Sequence, residues 1–139
     1  RRQRQMCIRD RGYPVVKWGD RKGEASVADV IHIIEEWLIE TLATFGVVGV
    51  RDERMQGVWV NGRKVCSIGL SFLRWVSRHG FSVNLNTPVG RVEGVAGCGL
   101  AADTTTSLRA LGHDIHPEDF VQALLPVVHR TLGTTSENR

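Results

Sequence analysis

The chain has 139 residues, which is enough for one domain with a hydrophobic core but short for two. No apolar run approaches the length of a membrane span, and no signal-peptide core lies near the first residues. These features predict a soluble, cytoplasmic protein that does not bind membranes.

The net charge of +3 would suit a nucleic-acid binder, but its distribution argues against one. Residues 1–11 hold five arginines and one aspartate, whereas the remaining residues carry 13 lysines and arginines against 14 acids, a net charge of −1. A nucleic-acid interface would therefore depend on the first eleven residues alone. We expect no nucleic-acid partner.

The first eleven residues have no periodicity, and Met6–Arg11 looks like translated adapter sequence. We therefore expect residues 1–11 to be a non-native or disordered tail outside the fold. Residues Gly12–Val16 predict a short strand with Pro14 at its start.

The next segment is the clearest helix in the sequence. Apolar residues spaced for one helical face run from Val27 to Phe45. Ser26 is a suitable N-cap and Gly46 a suitable end. We expect this helix to cover a sheet.

Strands are predicted at Val47–Val50, on both sides of Asn61-Gly62 within Gly57–Leu70, and at Phe81–Asn86. Asn-Gly between two β-prone runs indicates a type I′ hairpin. A last helix begins at Pro117, and residues 133–139 form a polar tail. Its predicted apolar face consists of Phe120, Val121, Leu124, Leu125, Val128 and Leu132. The sum is an α+β domain, a mixed or antiparallel sheet with helices packed on it.

The three cysteines are Cys7, Cys66 and Cys98. An odd number without a CxxC pair argues against a disulfide framework and against a closed zinc site. None of the histidines has metal-ligand spacing, so we expect no metal.

Cys98 is the candidate nucleophile. Its flanking glycines would let consecutive backbone N–H groups point at an oxyanion. The alternative, a loop cysteine without function, stays open on local sequence.

Lys64, just after the Asn61-Gly62 turn, is the candidate partner of Cys98, because an ammonium stabilises a thiolate. The alternative is a solvated hairpin lysine. Strand alternation predicts that Lys64, Cys66 and Ile68 share one face. Cys66 is expected to be a core residue.

Four blocks occur together in this order: Gly57–Leu70, Arg78–Asn86, Gly97-Cys98-Gly99 and Thr106-Ser107-Leu108. In sequence and separation they resemble the lipoyl(octanoyl) transferase family. The resemblance implies a fold like that of the biotin/lipoate protein ligases. It also implies an acyltransferase that moves an octanoyl or lipoyl group from acyl carrier protein to a lysine of a lipoyl domain, without a cofactor.

The resemblance also implies roles for individual residues. Cys98 would carry the acyl group as a thioester, and Lys64 would activate it. Trp59, Leu70 and Phe81 are candidate walls of an apolar slot for the octyl chain, and His79 is a possible supporting residue. The substrate-binding backbone would come from Ser67, Ile68, Gly69, Gly80, Phe81 and Ser82.

Acceptors implied by the resemblance are the lipoyl domains of 2-oxoacid dehydrogenase complexes and the glycine cleavage H protein. Two blocks typical of the family, Arg-Gly-Gly and Thr-Tyr-His-Gly-Pro-Gly-Gln, do not occur in this sequence. We therefore expect an N-terminally truncated, partial catalytic domain over residues 12–132. The alternatives are a lipoate- or biotin-type ligase, which would form an acyl-adenylate, and an inactive fragment that keeps only the fold.

Overall fold

The computed structural model describes residues 9–12, 14, 16–19, 24–85 and 106–132. In chain order these residues form two helices and five strands. The elements are β1 (Arg9–Gly12), α1 (Val27–Thr44), β2 (Val50–Asp52), β3 (Met55–Val60), β4 (Arg63–Leu73), β5 (Val76–Asn84) and α2 (Pro117–Leu132). The strands lie in the order β1-β5-β4-β3-β2, and every pair is antiparallel. The α+β prediction is confirmed.

Helix α1 begins and ends where its sequence signals predict. The hydroxyl oxygen of Ser26 accepts the Asp29 backbone N–H at 3.1 Å, as an N-cap does. At the other end Gly46 has φ +77 and its N–H donates to the Ala43 carbonyl. The side chains of Val30, Ile34 and Leu38 are fully buried, and α1 packs against β3 and β4.

Two tight hairpins join the three longest strands. Asn61 (φ +54) and Gly62 (φ +80) have the positive φ values of a type I′ turn, which confirms the predicted hairpin between β3 and β4. The turn between β4 and β5 was not predicted, although Arg74 (φ +54) and Trp75 (φ +69) adopt the same region. It contains no glycine or asparagine, so no turn signal marks it in the sequence.

The first strand lies earlier than predicted. Arg9–Gly12 pairs with Phe81–Asn84 of β5, so three residues assigned to the tail belong to the sheet. Beyond it, the Trp18 backbone N–H donates to the Trp75 carbonyl, and the Trp18 ring packs against Trp37 of α1. These contacts tie the segment before α1 into the core.

Two further boundaries differ from the prediction. β2 begins only at Val50, whereas Val47 is buried in the core next to the end of α1. β5 begins at Val76 rather than at Phe81. Gly80, which precedes the predicted strand in sequence, pairs with Gly69 inside the ladder.

Helix α2 covers the Pro117–Leu132 span predicted for it, but its apolar face is narrower. Phe120 and Val127 are buried, whereas Val121 and Leu125 are 39% and 45% exposed. Phe120 stacks on Phe45, and Arg130 forms an exposed ion pair with Glu40 of α1. Neither helix of the described chain is long and apolar enough to cross a membrane.

Candidate active site

A β-bulge separates Lys64 from Cys66. Val58 of β3 pairs with Cys66, but the next residue, Trp59, pairs with Lys64, so Val65 is an extra residue on β4. Directly paired residues share a face and consecutive residues alternate. Lys64 therefore lies on the face of Trp59, and Cys66 lies on the opposite face with Val58. The prediction that Lys64 and Cys66 share a face is wrong, because a bulge shifts the alternation by one residue.

The bulge leaves Lys64 buried, with a residue exposure of 5%. Its Nζ lies 3.0 Å from the Sδ of Met55. Its aliphatic stem passes Gly57, where an added Cβ would lie 3.3 Å from Lys64 Cδ. Lys64 is therefore a held side chain and not a solvated hairpin lysine.

The six predicted substrate-binding residues lie directly opposite one another. Register pairs Ser67 with Ser82, Ile68 with Phe81, and Gly69 with Gly80. Two segments that are far apart in sequence thus form one patch at the centre of the sheet. Position 80 requires glycine, because a Cβ there would overlap the carbonyl oxygen of Gly12 in β1.

A cavity of about 430 Å³ opens beside this patch. It is lined by Lys64, Ser67 and Ile68 of β4 and by residues 53–56, where β2 turns into β3. Its volume is within the range of about 300–1,000 Å³ found for small-molecule sites. The structure thus brings Lys64 together with two of the predicted substrate-binding residues.

The predicted walls of the slot do not line this cavity. Trp59 is 1% exposed and donates its ring N–H to the Met55 carbonyl. Phe81 packs against Gly12, and Leu70 lies farther along β4. The apolar contribution comes instead from Ile68 and Met55.

The chain returns to Lys64 after the glycine-rich segment. The Thr106 backbone N–H donates to the Lys64 carbonyl at 2.9 Å, and the Leu108 N–H donates to the Asn84 carbonyl. The Asn84 side chain in turn donates to the Thr106 carbonyl. Thr106 follows Cys98 by eight residues. Cys98 itself lies outside the described residues, as do Gly97 and Gly99.

Cys66 is confirmed as a core residue. Its side chain is fully buried in the core that α1 covers. Burial raises the pKa of the Cys66 thiol, because the thiolate would lose its hydration there. Cys66 is therefore unsuited to act as a nucleophile.

His79 is not brought close to Lys64. It pairs with Leu70, six residues beyond Lys64 on β4, which corresponds to about 20 Å of strand. His79 is exposed and has φ +67. The described structure gives it no contact with the Lys64 cavity.

Arg54, which lines the cavity, forms an ion pair with Asp52. Arg54 donates from Nε and Nη2 to the carboxylate of Asp52 at 2.9 and 2.8 Å, and its guanidinium lies 4.3 Å from the centre of the Trp59 ring. The hydrogen bonds from the Arg54 side chain lower the pKa of Asp52 to about 2. The Asp52 carboxylate is thus fixed on Arg54.

Sequence reasoning missed Met55 and Gly57, which contact Lys64, and Glu35, which accepts a hydrogen bond from Gly57. Met55 and Gly57 lie two residues apart on β3, one on each side of Gln56. Gly57 is the first residue of the recognised block Gly57–Leu70. Glu35 lies on α1 off the apolar stripe, although the structure buries it at 4% exposure. The only sequence signal was its position one residue after Ile34 in the apolar stripe.

The fold of this chain is similar to that of two kinds of solved protein structure. It is similar to that of a bi-partite lipoate protein ligase from Thermoplasma acidophilum, with a TM-score of 0.63 and 10% identity over 80% of this chain and 48% of that one. It is also similar to the biotin protein ligase from Aquifex aeolicus, with a TM-score of 0.60 and 15% identity over 78% of this chain and 47% of that one. The chain therefore has the fold of the lipoate and biotin protein ligases.

Residues 11–128 match the family described as the lipoyl protein ligase A/B catalytic domain. The chain belongs to this family. It is 41% identical over 110 residues to an octanoyltransferase from Novosphingobium aromaticivorans, covering 76% of this chain and 50% of that protein. It is 42% identical over 103 residues to one from Nitratidesulfovibrio vulgaris, covering 73% and 46%. The chain thus spans about half the length of the curated relatives it matches.

Proposed function

We propose that the protein is an octanoyltransferase that moves an octanoyl group from a thioester of acyl carrier protein to a lysine of a lipoyl domain. The observation that carries the proposal is Lys64, a lysine held on a bulge beside a 430 Å³ cavity in a chain 41% identical to an octanoyltransferase. The proposed place of the reaction is the cytoplasm.

In the first step the thiolate of Cys98 attacks the carbonyl carbon of the octanoyl thioester. A new C–S bond forms to Cys98, and the bond to the carrier thiol breaks. The Lys64 ammonium gives its proton to the departing thiolate. One thioester replaces another, so the step is nearly isoenergetic and needs no ATP.

In the second step the amine of the acceptor lysine attacks the octanoyl-Cys98 thioester. An amide bond forms, Cys98 leaves as a thiolate, and neutral Lys64 accepts the proton lost by the nitrogen. Lys64 thereby returns to its starting charge. The cross-strand patch of Ser67–Gly69 and Gly80–Ser82 would orient the acyl chain for both steps.

The test is incubation of the chain with octanoyl-acyl carrier protein, followed by intact mass measurement and peptide mapping. We expect one octanoyl adduct on Cys98, released by hydroxylamine. Cys98→Ser should abolish it, whereas the matched variant Cys66→Ser should keep it, because Cys66 is buried away from Lys64. Lys64→Met should slow acylation about 100-fold.

An adduct on Cys66, or no adduct on Cys98, would contradict the proposal. An unchanged rate in Lys64→Met would remove Lys64 from the mechanism.

The fold shared with lipoate and biotin ligases favours one other reaction, ATP-dependent acylation. A parallel incubation with free octanoate, ATP and a lipoyl domain tests it. We expect no transfer there, and product formed only with ATP would replace the proposal by ligation.

A further inference from the structure

We propose that Glu35, a buried carboxylate on α1, is a positioning residue that holds Lys64 through the Gly57 peptide. This inference rests on the proposed function for the role of Lys64. The three residues involved are Glu35 on α1, Gly57 on β3 and Lys64 on β4.

Glu35 uses its two carboxylate oxygens in different directions. Oε1 accepts a hydrogen bond from Arg51 Nε at 2.8 Å, and Oε2 accepts one from the Gly57 backbone N–H at 3.0 Å. Arg51 is itself held on α1, because its Nη2 donates to the His32 carbonyl and to Glu36. A buried carboxylate is costly unless it is paired and hydrogen-bonded, and here both conditions are met.

Gly57 lies next to irregular pairing on both sides of β3. On the β2 side, the register shifts between the Asp52–Met55 and Val50–Trp59 pairs, which flank Gly57. On the β4 side, it shifts between Val58 and Trp59, directly after Gly57. Its N–H donates to Glu35. The helix therefore fixes the strand backbone at the position where the ladder is distorted.

The fixed position is the one that contacts Lys64. An added Cβ at Gly57 would overlap the Cys66 carbonyl oxygen and lie 3.3 Å from Lys64 Cδ. The Gly57 peptide is thus the surface along which the Lys64 stem lies. A shift of this peptide would move the Lys64 ammonium relative to the cavity.

Glu35→Gln is the sharpest variant, because it keeps the shape and removes one of two acceptors. The amide NH₂ of glutamine cannot accept from either the Gly57 N–H or Arg51 Nε. Glu40→Gln is the matched control, since Glu40 also lies on α1 and pairs with an arginine at 2.8 Å, but with Arg130 of α2. Ile34→Val is a control for loss of core packing on the same helix.

The readout is NMR of the chain labelled with ¹³C at lysine Cε. The sequence contains three lysines, Lys17, Lys22 and Lys64, and Lys64→Arg assigns the relevant signal. We expect Glu35→Gln to move the Gly57 amide resonance and to shift the Lys64 signal while lowering its heteronuclear NOE. Both controls should leave Lys64 unchanged.

The kinetic readout is octanoyl transfer at saturating and limiting donor. Glu35→Gln should lower kcat about tenfold or more and change KM less than twofold, since misplacement of a catalytic group acts on the chemical step. If octanoyl transfer is not detected in the parent chain, the proposed function fails, whereas the NMR result still decides the positioning role.

A moved Gly57 amide with an unmoved Lys64 signal would overturn the inference. An unmoved Gly57 amide would show that the glutamine oxygen keeps the Gly57 hydrogen bond, and the parent chain then gives the decision. If Glu35→Gln does not fold, the parent chain gives the decision. A scalar coupling across the hydrogen bond from Gly57 N to Glu35 Cδ, together with a rigid Lys64 Cε, is expected. A mobile Lys64 side chain in the parent would refute the inference.

Discussion

At the residue scale, two positions with positive φ, one in β3 and one in the turn that follows, require glycine for different reasons. Gly62 has φ +80 and no atom within 4 Å of an added Cβ, so only the turn conformation selects glycine. Gly57 has φ +136, and an added Cβ would also overlap the carbonyl oxygen of Cys66. Backbone conformation and close approach thus act together at the residue beside Lys64.

We therefore expect Gly57→Ala to cost more stability than Gly62→Ala. Gly62→Ala should lower the free energy of unfolding by about 1 kcal/mol, the cost of a left-handed residue with a side chain. Gly57→Ala adds the overlap and should cost about 3 kcal/mol or more. Urea unfolding of both variants measures the difference, and equal losses would show that β3 shifts freely at Gly57.

A second prediction concerns the Asp52–Arg54 pair. Hydrogen bonds from Arg54 lower the pKa of Asp52 from 3.8 to about 2. Because the folded pKa is depressed, the contribution of this pair to stability is present above pH 3.8 and is lost as the pH falls through about 2.

An NMR titration of the Asp52 carboxyl should have its midpoint near pH 2. In Arg54→Ala the midpoint should move toward 3.8, the ordinary value. Arg51→Ala should leave it in place, because Arg51 pairs with Glu35 and Glu36 instead. A midpoint near 3.8 in the parent chain would contradict the ion pair in solution.

At the element scale, the hairpin between β4 and β5 sets the register that pairs the two substrate segments. Ser67 faces Ser82 and Gly69 faces Gly80 because Leu73 faces Val76 across a two-residue turn. Both turn residues, Arg74 and Trp75, adopt left-handed backbone that residues with a side chain rarely occupy. The register is thus held by the ladder and not by favourable turn residues.

Arg74→Asn should therefore stabilise the protein, since asparagine tolerates the left-handed region in type I′ turns. We expect a gain of about 0.5–1 kcal/mol, measured by urea or thermal unfolding. Arg78→Asn is the control, because Arg78 lies in β5 and is not among the residues with positive φ. A gain of equal size in Arg78→Asn would trace the effect to charge and not to the turn.

At the scale of the whole molecule, the segment before α1 is part of the core. Trp18 is 1% exposed and its ring centre lies 6.0 Å from that of Trp37 on α1. Its backbone N–H donates to the carbonyl of Trp75 in the hairpin turn. The segment therefore joins α1 to the far end of the β4–β5 hairpin.

Trp18→Ala should lower the free energy of unfolding by about 3–5 kcal/mol, the usual cost of removing a buried tryptophan. Trp75→Ala is the matched variant, because the same hydrogen bond uses only its backbone and its side chain is 38% exposed. It should cost about 1 kcal/mol. Comparable losses in urea unfolding would show that the segment is not anchored by Trp18.

Periodicity, capping and turn residues were sufficient for the two helices and for the β3–β4 hairpin. The limits of α1 follow from Ser26, the apolar stripe and Gly46, since helix caps act within a few residues. The β3–β4 hairpin follows from Asn61-Gly62, because a type I′ turn depends on its two central residues. The turn at Arg74-Trp75 could not be predicted, because the β4–β5 ladder holds it without glycine or asparagine. The first strand was predicted at Gly12–Val16 but lies at Arg9–Gly12, because pairing with the distant strand β5 sets its bounds against weak local preference.

For the candidate site, the sequence by itself predicted, through its resemblance to a known family, which segments contribute. Lys64, the Ser67–Gly69 segment and the Gly80–Ser82 segment were identified from the recognised blocks. The structure pairs the two segments across β4 and β5 and places Lys64, Ser67 and Ile68 around one cavity. The order and separation of the blocks are present in the sequence itself, so the resemblance that implies these segments can be recognised without the structure.

Only the tertiary structure decided how Lys64 is held. A bulge at Val65 separates Lys64 from Cys66, and Glu35, 22 residues before Gly57, fixes the strand beneath it. A bulge and a buried carboxylate both depend on partners that are far apart in sequence. Local patterns carry no information about such partners, because the contacts exist only after the chain has folded.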